Sequence, residues 1–429
     1  MLTIAQLHAA DGLEKKIRTE LADTGGTWWG QGAYNLGLQP GNPVETDSFV
    51  DLYTGFRDPR AAHLLADERP TLGTRPGRYL TIEDHKQRLR QAHPDLTDRQ
   101  LQARARQNTR SPLLCIDLTF APSKSVAVLH AAFQSAAHHA THRGALEEAF
   151  IWHTRAAAVR SALLRGNAAM LDTVQNLAGT VRAGRAGHTS MEANGWVVAV
   201  FPRSWNRARD PFLYVRNLIL NRVERSDGKW RTLDSRRINH ARAWGAAVGE
   251  RVLTEALIAD PGVGLLPRSD TTGFEVQGIP TAVLELFSVR AEQVRQATPQ
   301  SSTAYRHRAT RIPAMLTSLA AEKQNSDRIP GQLVSWWEER LAEHGLPTLV
   351  DIASTALEQT PAAQVPAGAV RAAQRILAAE GVASPRSIRD QGWMALQLNN
   401  RLPASLGGLD PAGVRGLLAE AVATYRSHP

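Results

Sequence analysis

Cys115-Ile116-Asp117-Leu118-Thr119-Phe120-Ala121-Pro122-Ser123-Lys124-Ser125-Val126 is the most informative stretch of this 429-residue chain. From Leu113 to Phe120 the residues follow the two-residue period of a strand with unlike faces. Leu114, Ile116, Leu118 and Phe120 point one way; Cys115, Asp117 and Thr119 point the other. A carboxylate on the polar face of a central strand, followed by a Lys124-Ser125 turn into a helix, suits phosphate chemistry. The helix start offers unpaired N–H groups and Lys124 adds a point charge. The plain alternative is an ordinary strand–helix turn in which a salt bridge holds Asp117.

Upstream of this strand, residues 5–22 read as a helix that stops at Gly25-Gly26, and residues 27–43, rich in Gly and Trp, read as loops packed by aromatics. Residues 85–111 are polar and basic, and Pro94 divides them into two short helices. Arg104 and Arg106 in the second of these are candidate DNA contacts. Downstream, an Ala-rich helical region spans Val126 to Leu163. Gly195–Phe201 and Phe212–Val223 suggest an antiparallel pair across a ten-residue polar loop, with Lys229–Leu233 as a further strand. Arg237–Ala259 and Pro280–Ala297 read as helices around a short strand at Gly273–Gln277. From Ser301 onward the chain is helical, with Gln359–Pro366 as a linker.

Composition sets broad bounds. With 43% hydrophobic and 21% charged residues the chain is globular, not disordered. A formal net charge of +9 suits a polyanionic partner such as nucleic acid. The 44 Arg against six Lys also fit codon bias, so the distribution of charge matters more than its sum. The single cysteine, Cys115, excludes a disulfide framework or a Cys-based zinc site. Glu14, Lys15 and Lys16 stand where a signal peptide needs its apolar stretch, and no apolar run reaches the ~20 residues of a membrane span. A cytoplasmic location without membrane contact is expected.

Several segments together are recognisable. Asp117–Val126 resembles the "DLTFSAPKSVS" motif of MobF-class conjugative relaxases, the TrwC/TraI type. Trp28-Trp29-Gly30-Gln31-Gly32-Ala33-Tyr34-Asn35-Leu36-Gly37-Leu38 is similar to that family's "W-x-G-K-G-A-E-x-L-G-L". Asp210-Pro211-Phe212-Leu213, Asn221-Arg222-Val223 and Asp227–Asp234 follow its third motif and the strand after it. Gly278-Ile279-Pro280 with Leu286-Phe287-Ser288 resembles its "GVP…LFS" stretch. These motifs stand in family order over residues 1 to about 310. The resemblance implies an α+β fold: a central antiparallel sheet with helices on one face, clasping single-stranded DNA on the other, as in HUH endonucleases. A relaxase-like unit over 1–310 and an all-helical region over 311–429 are expected. No G-x-x-x-x-G-K-[ST] helicase signature is present.

In active members of the family, the resemblance implies, amino-terminal tyrosines attack a phosphodiester at the origin of transfer. Three histidines there hold a divalent metal, and the motif aspartate supports one of them. Aligned without gaps from Trp28, the tyrosine pairs land near Ala10-Asp11 and Arg18-Thr19, and residues 1–33 contain no tyrosine. The family's H-x-x-x-x-x-x-D-P-x-x-H-x-H reads here as Arg203, Asp210-Pro211, Tyr214 and Arg216. Only Asp117 remains, as the match to the motif aspartate. Arginine stays protonated and binds no cation, so no metal and no cofactor is expected.

The two arginines either complement DNA phosphate or neutralise Asp117 as a buried pair. Lys124, Ser125, Arg203, Trp205, Arg207, Arg209 and Arg216, with Arg104 and Arg106, form the expected DNA-binding set. Trp205 beside Arg203, Arg207 and Arg209 is the aromatic assigned to base stacking, whereas Trp196 and Trp230 are assigned to the core. Tyr214 is a weak candidate nucleophile. His188 falls in a Gly-rich loop as a DNA-contacting or solvent residue, and His138, His139 and His142 read as surface composition on a helix.

The leading expectation is therefore a relaxase-like protein of a conjugative or mobile element that binds single-stranded or hairpin DNA without cutting it. One alternative is an active site- and strand-specific nickase with a non-standard nucleophile and metal; only in that case is a divalent metal required. The other is a scaffold whose carboxy-terminal helices bind a protein partner.

Overall fold

The computed structural model describes residues 2–8, 25–65, 68–73, 80, 82–108, 112–183, 189–206, 208–268, 273–289, 330–359 and 368–425. Its centre is a five-stranded sheet in which every neighbouring pair is antiparallel. The strands lie in the order β1 (Leu2–His8), β3 (Leu113–Phe120), β7 (Pro211–Leu220), β6 (Val198–Trp205), β2 (Thr27–Trp29). The alternation read in Leu113–Phe120 gives β3 its observed limits, because one face meets helices and the other a polar surface.

The helix expected at 5–22 is corrected at its start. Leu2–His8 pairs with β3 from Leu2↔Phe120 to Leu7↔Cys115. An open edge on β3 offers backbone hydrogen bonds that outweigh a weak helical preference. The rest of that expected helix, residues 9–22, lies outside the described residues.

Between β2 and β3 come α1 (Gln31–Asn35), α2 (Thr46–Gly55), α3 (Ile82–Ala92) and α4 (Asp98–Asn108). The last two match the split read at Pro94. After β3 run α5 (Lys124–His142) and α6 (Leu146–Ala178), where a single long helical region was expected. Gly144 makes the break: its φ of 75° lets Ala145 N–H return to Ala140 O at 2.9 Å, which stops α5 and reverses the chain.

Two small hairpins follow: β4 (Thr180–Ala183) with β5 (Thr189–Glu192), and β8 (Val223–Glu224) with β9 (Trp230–Arg231). Then come α7 (Ser235–Ala259), the pair β10 (Leu265–Pro267) and β11 (Phe274–Val276), and α8 (Thr281–Leu286). Helices α6 and α7 cross at a glycine pair. A Cβ on Gly166 would lie 2.6 Å from Gly249 O, so neither position tolerates a side chain at this separation.

Helices α5, α6 and α7 cover one sheet face with a continuous core that includes Ile116, Leu118, Phe120, Phe133, Leu163 and Leu253. A buried amide pair pins that face: Asn217 Nδ2 donates to Asn167 Oδ1 at 2.8 Å and Asn167 Nδ2 to Asn217 Oδ1 at 2.9 Å. Buried polar groups persist where each finds a partner.

The expected division at 310/311 falls outside the described residues. Beyond it, α9 (Pro330–Glu343) and α10 (Leu349–Glu358) add Leu333, Trp337, Leu349 and Ile352 to the core under the sheet. Helices α11 (Ala369–Ala379), α12 (Ile388–Arg401) and α13 (Pro411–Thr424) make a second core with Trp244, Val248 and Val252 of α7. Arg251 locks this contact from full burial. Its Nη1 donates to Pro403 O and Ala404 O at 2.6 and 2.7 Å, its Nε to Asn399 Oδ1 at 2.7 Å. No described helix is long and apolar enough to cross a membrane.

Candidate nucleic-acid interface

On the face of the sheet away from α5–α7, α2 covers only part of the surface. Phe49 and Tyr53, stacked at 4.0 Å, pack with Ala199, Phe201, Leu218 and Leu220, and Tyr53 Oη donates to Leu218 O at 2.7 Å. The strands continue past this cover. Their alternation brings Asp117 and Thr119 of β3, Tyr214 and Arg216 of β7, and Arg203 of β6 onto the remaining surface. Thr119 is level with Arg216, and Arg203 is directly opposite Tyr214.

At the centre of this surface is an ion pair. Arg216 donates from Nε and Nη2 to Asp117 Oδ2 at 3.0 and 2.5 Å, and Thr119 Oγ1 donates to the other oxygen, Oδ1, at 2.9 Å. Both carboxylate oxygens are thus engaged. Burial pushes the Asp117 carboxyl up to about 6, with the Thr119 hydrogen bond opposing it, and pushes the Arg216 guanidinium down to about 10. Near neutral pH the two are therefore oppositely charged, and each offsets the other's loss of water. Arg216 is thus paired with Asp117, one of the two arrangements left open by the sequence. Tyr214 packs its ring on Phe212 at 4.9 Å, and Arg203 is half-buried beside it.

A family model for the TrwC relaxase matches residues 18–344. The chain belongs to the TrwC relaxase family. Solved structures agree at the level of fold. They include the conjugative relaxase TrwC in complex with OriT DNA, metal-free, at 22% identity and a TM-score of 0.54, covering 81% of this chain and 100% of that one. The metal-bound complex aligns at 23% identity and a TM-score of 0.55, covering 81% and 99%. TrwC with a 27-mer DNA comprising the recognition hairpin and the cleavage site gives 22% and 0.53, again over 81% and 99%. Comparison with curated proteins gives no match.

A TrwC-type metal does not fit this surface. The positions that the motif resemblance aligns with the three ligands hold two guanidiniums and a phenol, and Arg216 already occupies Asp117. A protonated guanidinium repels a cation and has no lone pair to offer it. Among the described residues no group of three or more His, Cys, Asp or Glu can hold a metal ion.

Three residues of the expected DNA-binding set make contacts within the chain, Ser125 fully buried and Lys124 and Trp205 half-buried. Ser125 is fully buried; its hydroxyl bonds Glu275 and accepts from Val276 N–H at 2.9 Å, tying α5 to β11. Lys124 Nζ donates to Pro211 O at 2.8 Å, and burial lowers it to about 8, partly offset by Asp210. Trp205 packs against the helix-side core. The register slips by one between Arg203 and Trp205, so Trp205 lies opposite Pro211 and leaves the Arg203 face. A bulge re-aims every residue beyond it, and strict alternation read from sequence misses that.

Arg209 sits in the β6–β7 turn with φ 63°, and its carbonyl accepts from Trp337 Nε1 at 2.6 Å. Beside it the buried Asp210 meets Arg340 Nη1 at 3.3 Å, so α9 braces the turn. Arg340 was not foreseen, since nothing in its helix links it to a motif some 130 residues away. Arg207 and His188 lie outside the described residues. Arg104 and Arg106 are exposed on α4, away from the buried Leu101 and Ala105. Trp196 and Trp230 are buried as expected.

Proposed function

We propose that this relaxase-family chain, from a conjugative or mobile element, binds single-stranded or hairpin DNA in the cytoplasm and does not nick it. The observation that carries the reading is the Arg216 fork on Asp117 at 3.0 and 2.5 Å. Where a nickase of this family needs histidines around a cation, this surface presents guanidiniums. DNA remains the fitting partner. The TrwC structures sharing the fold hold OriT DNA, and Arg203 and the exposed Arg104 and Arg106 offer charge for phosphate contacts. The same reading is supported by the positions near Ala10-Asp11 and Arg18-Thr19, where the resemblance places the family's tyrosine pairs and this chain has no tyrosine.

Two measurements test it. Supercoiled plasmid carrying the element's origin of transfer should stay closed with the full chain and Mg²⁺ or Mn²⁺; metal-dependent nicked circles would overturn the reading. Binding to single-stranded and hairpin oligonucleotides should be measurable at low salt and fall steeply as salt rises. No binding at low salt would leave the fold as a protein scaffold.

A further inference from the structure

A second group of polar side chains, set in a largely apolar cleft, lies on the opposite side of the sheet from Asp117. Between α5 and α6, with Val334 of α9 at its edge, is a cleft of about 450 Å³ lined by His130, Gln134, His138, His153 and Arg160, with Thr141 at the rim. His130 is only 4% exposed, yet no hydrogen bond to its ring exists among the described residues. The ring faces the cleft, where a ligand or water can meet its nitrogens. Arg160 at the rim has no ion pair among the described residues, and the described lining holds no carboxylate. Glu148, nearby on α6, is taken by Arg143 and Trp152, and Glu338 of α9 by Ser135 and the Leu349 amide.

The chemistry of the cleft is one-sided. Arg160 supplies a fixed positive charge with several N–H donors; His130, His138, His153 and Gln134 supply further donors; no described lining residue supplies negative charge. Ala156, Ala157 and Val334 form an apolar wall. The volume falls in the range of small-molecule sites and well exceeds that of a bare phosphate ion. We infer that this cleft binds a small organic phosphate monoester, its phosphate held by Arg160 and the imidazoles and its carbon skeleton laid against the alanine wall. The inference is independent of the DNA-binding reading, because the site shares no residue with the surface around Asp117.

The test uses the full chain and 5′-AMP as probe, with adenosine as the control lacking phosphate, followed by calorimetry at low salt. AMP is expected to bind with a dissociation constant below about 1 mM, and adenosine at least about ten-fold more weakly. Arg160→Gln and His153→Ala, both substitutions of exposed residues, should each weaken AMP binding about ten-fold or more while oligonucleotide binding is unchanged. Equal binding of adenosine, AMP affinity unaffected by both substitutions, or no AMP binding up to about 5 mM would each overturn the inference. If instead only oligonucleotide binding fails, the DNA reading falls and this one stands.

Discussion

Arg216 reaches across from β7 and donates both Nε and Nη2 to one oxygen of Asp117, while Thr119 holds the other. By the motif resemblance the pair stands at positions of the family's site, and its two charges answer each other. The carboxylate is the residue of the motif that survives, and the guanidinium decides what it can do.

Replacing Arg216 by Met should cost about 3 kcal/mol at pH 7.5, because a buried carboxylate is left without its cation. The cost should shrink toward pH 5, since an unpaired buried carboxyl holds its proton to higher pH and becomes neutral. Urea denaturation at several pH values measures both effects. Stability within about 0.5 kcal/mol of the parent at pH 7.5 would show that the pair carries no weight.

The strand register already places positions 203, 214 and 216 on one face, with 203 opposite 214. The triple substitution Arg203→His, Tyr214→His, Arg216→His should therefore create saturable one-to-one binding of Mn²⁺ or Ni²⁺, absent from the parent chain. Calorimetry reads it directly. No binding by a folded triple variant would mean that the surface has lost the spacing as well as the ligands.

Burial, with the Arg160 charge adding to it, lowers His130 to about 4. The unfolded chain takes up that proton near pH 6.5 and the folded chain does not. Stability is thus unaffected above about 6.5 and is lost as pH falls from there toward 4, by up to about 3 kcal/mol. The variant His130→Gln should lose correspondingly less stability over the same range. Parallel pH profiles for the two proteins would contradict the assignment.

Arg251 holds the carbonyls of Asn399, Pro403 and Ala404, and Glu255 receives the amides of Leu406 and Gly408 at 2.6 and 3.0 Å. Substituting Arg251 by Met strands those acceptors and leaves Glu255 without a neighbouring cation, a loss of about 3 kcal/mol or more. Limited proteolysis should then release residues 368–425 before the sheet domain is cut. An unchanged digestion pattern would place the anchor elsewhere, on the apolar contacts of Trp244, Leu398 and Leu418.

Much of the candidate surface was legible because its cues are local. The alternation of Leu113–Phe120 marks a strand with a polar face, and the motif spacing puts Tyr214 and Arg216 on one face of the next strand. What stands at positions 203, 214 and 216, which the motif resemblance aligns with the family's histidines, is a matter of identity and is read from the sequence alone. The motif order along the chain was enough to name the fold.

Pairing partners and register were not local, and only the tertiary structure settled them. Leu2–His8 is a strand because the edge of β3, more than 100 residues on, completes its hydrogen bonds. A single register slip turns Trp205 from the arginine face to pack, half-buried, against the helix-side core, and Ser125 is buried because β11 folds across it. Above all, the sequence left Arg216 two fates, phosphate contact or neutralisation of Asp117. A guanidinium can serve either anion, and the choice depends on which lies within hydrogen-bonding distance once the strands have paired.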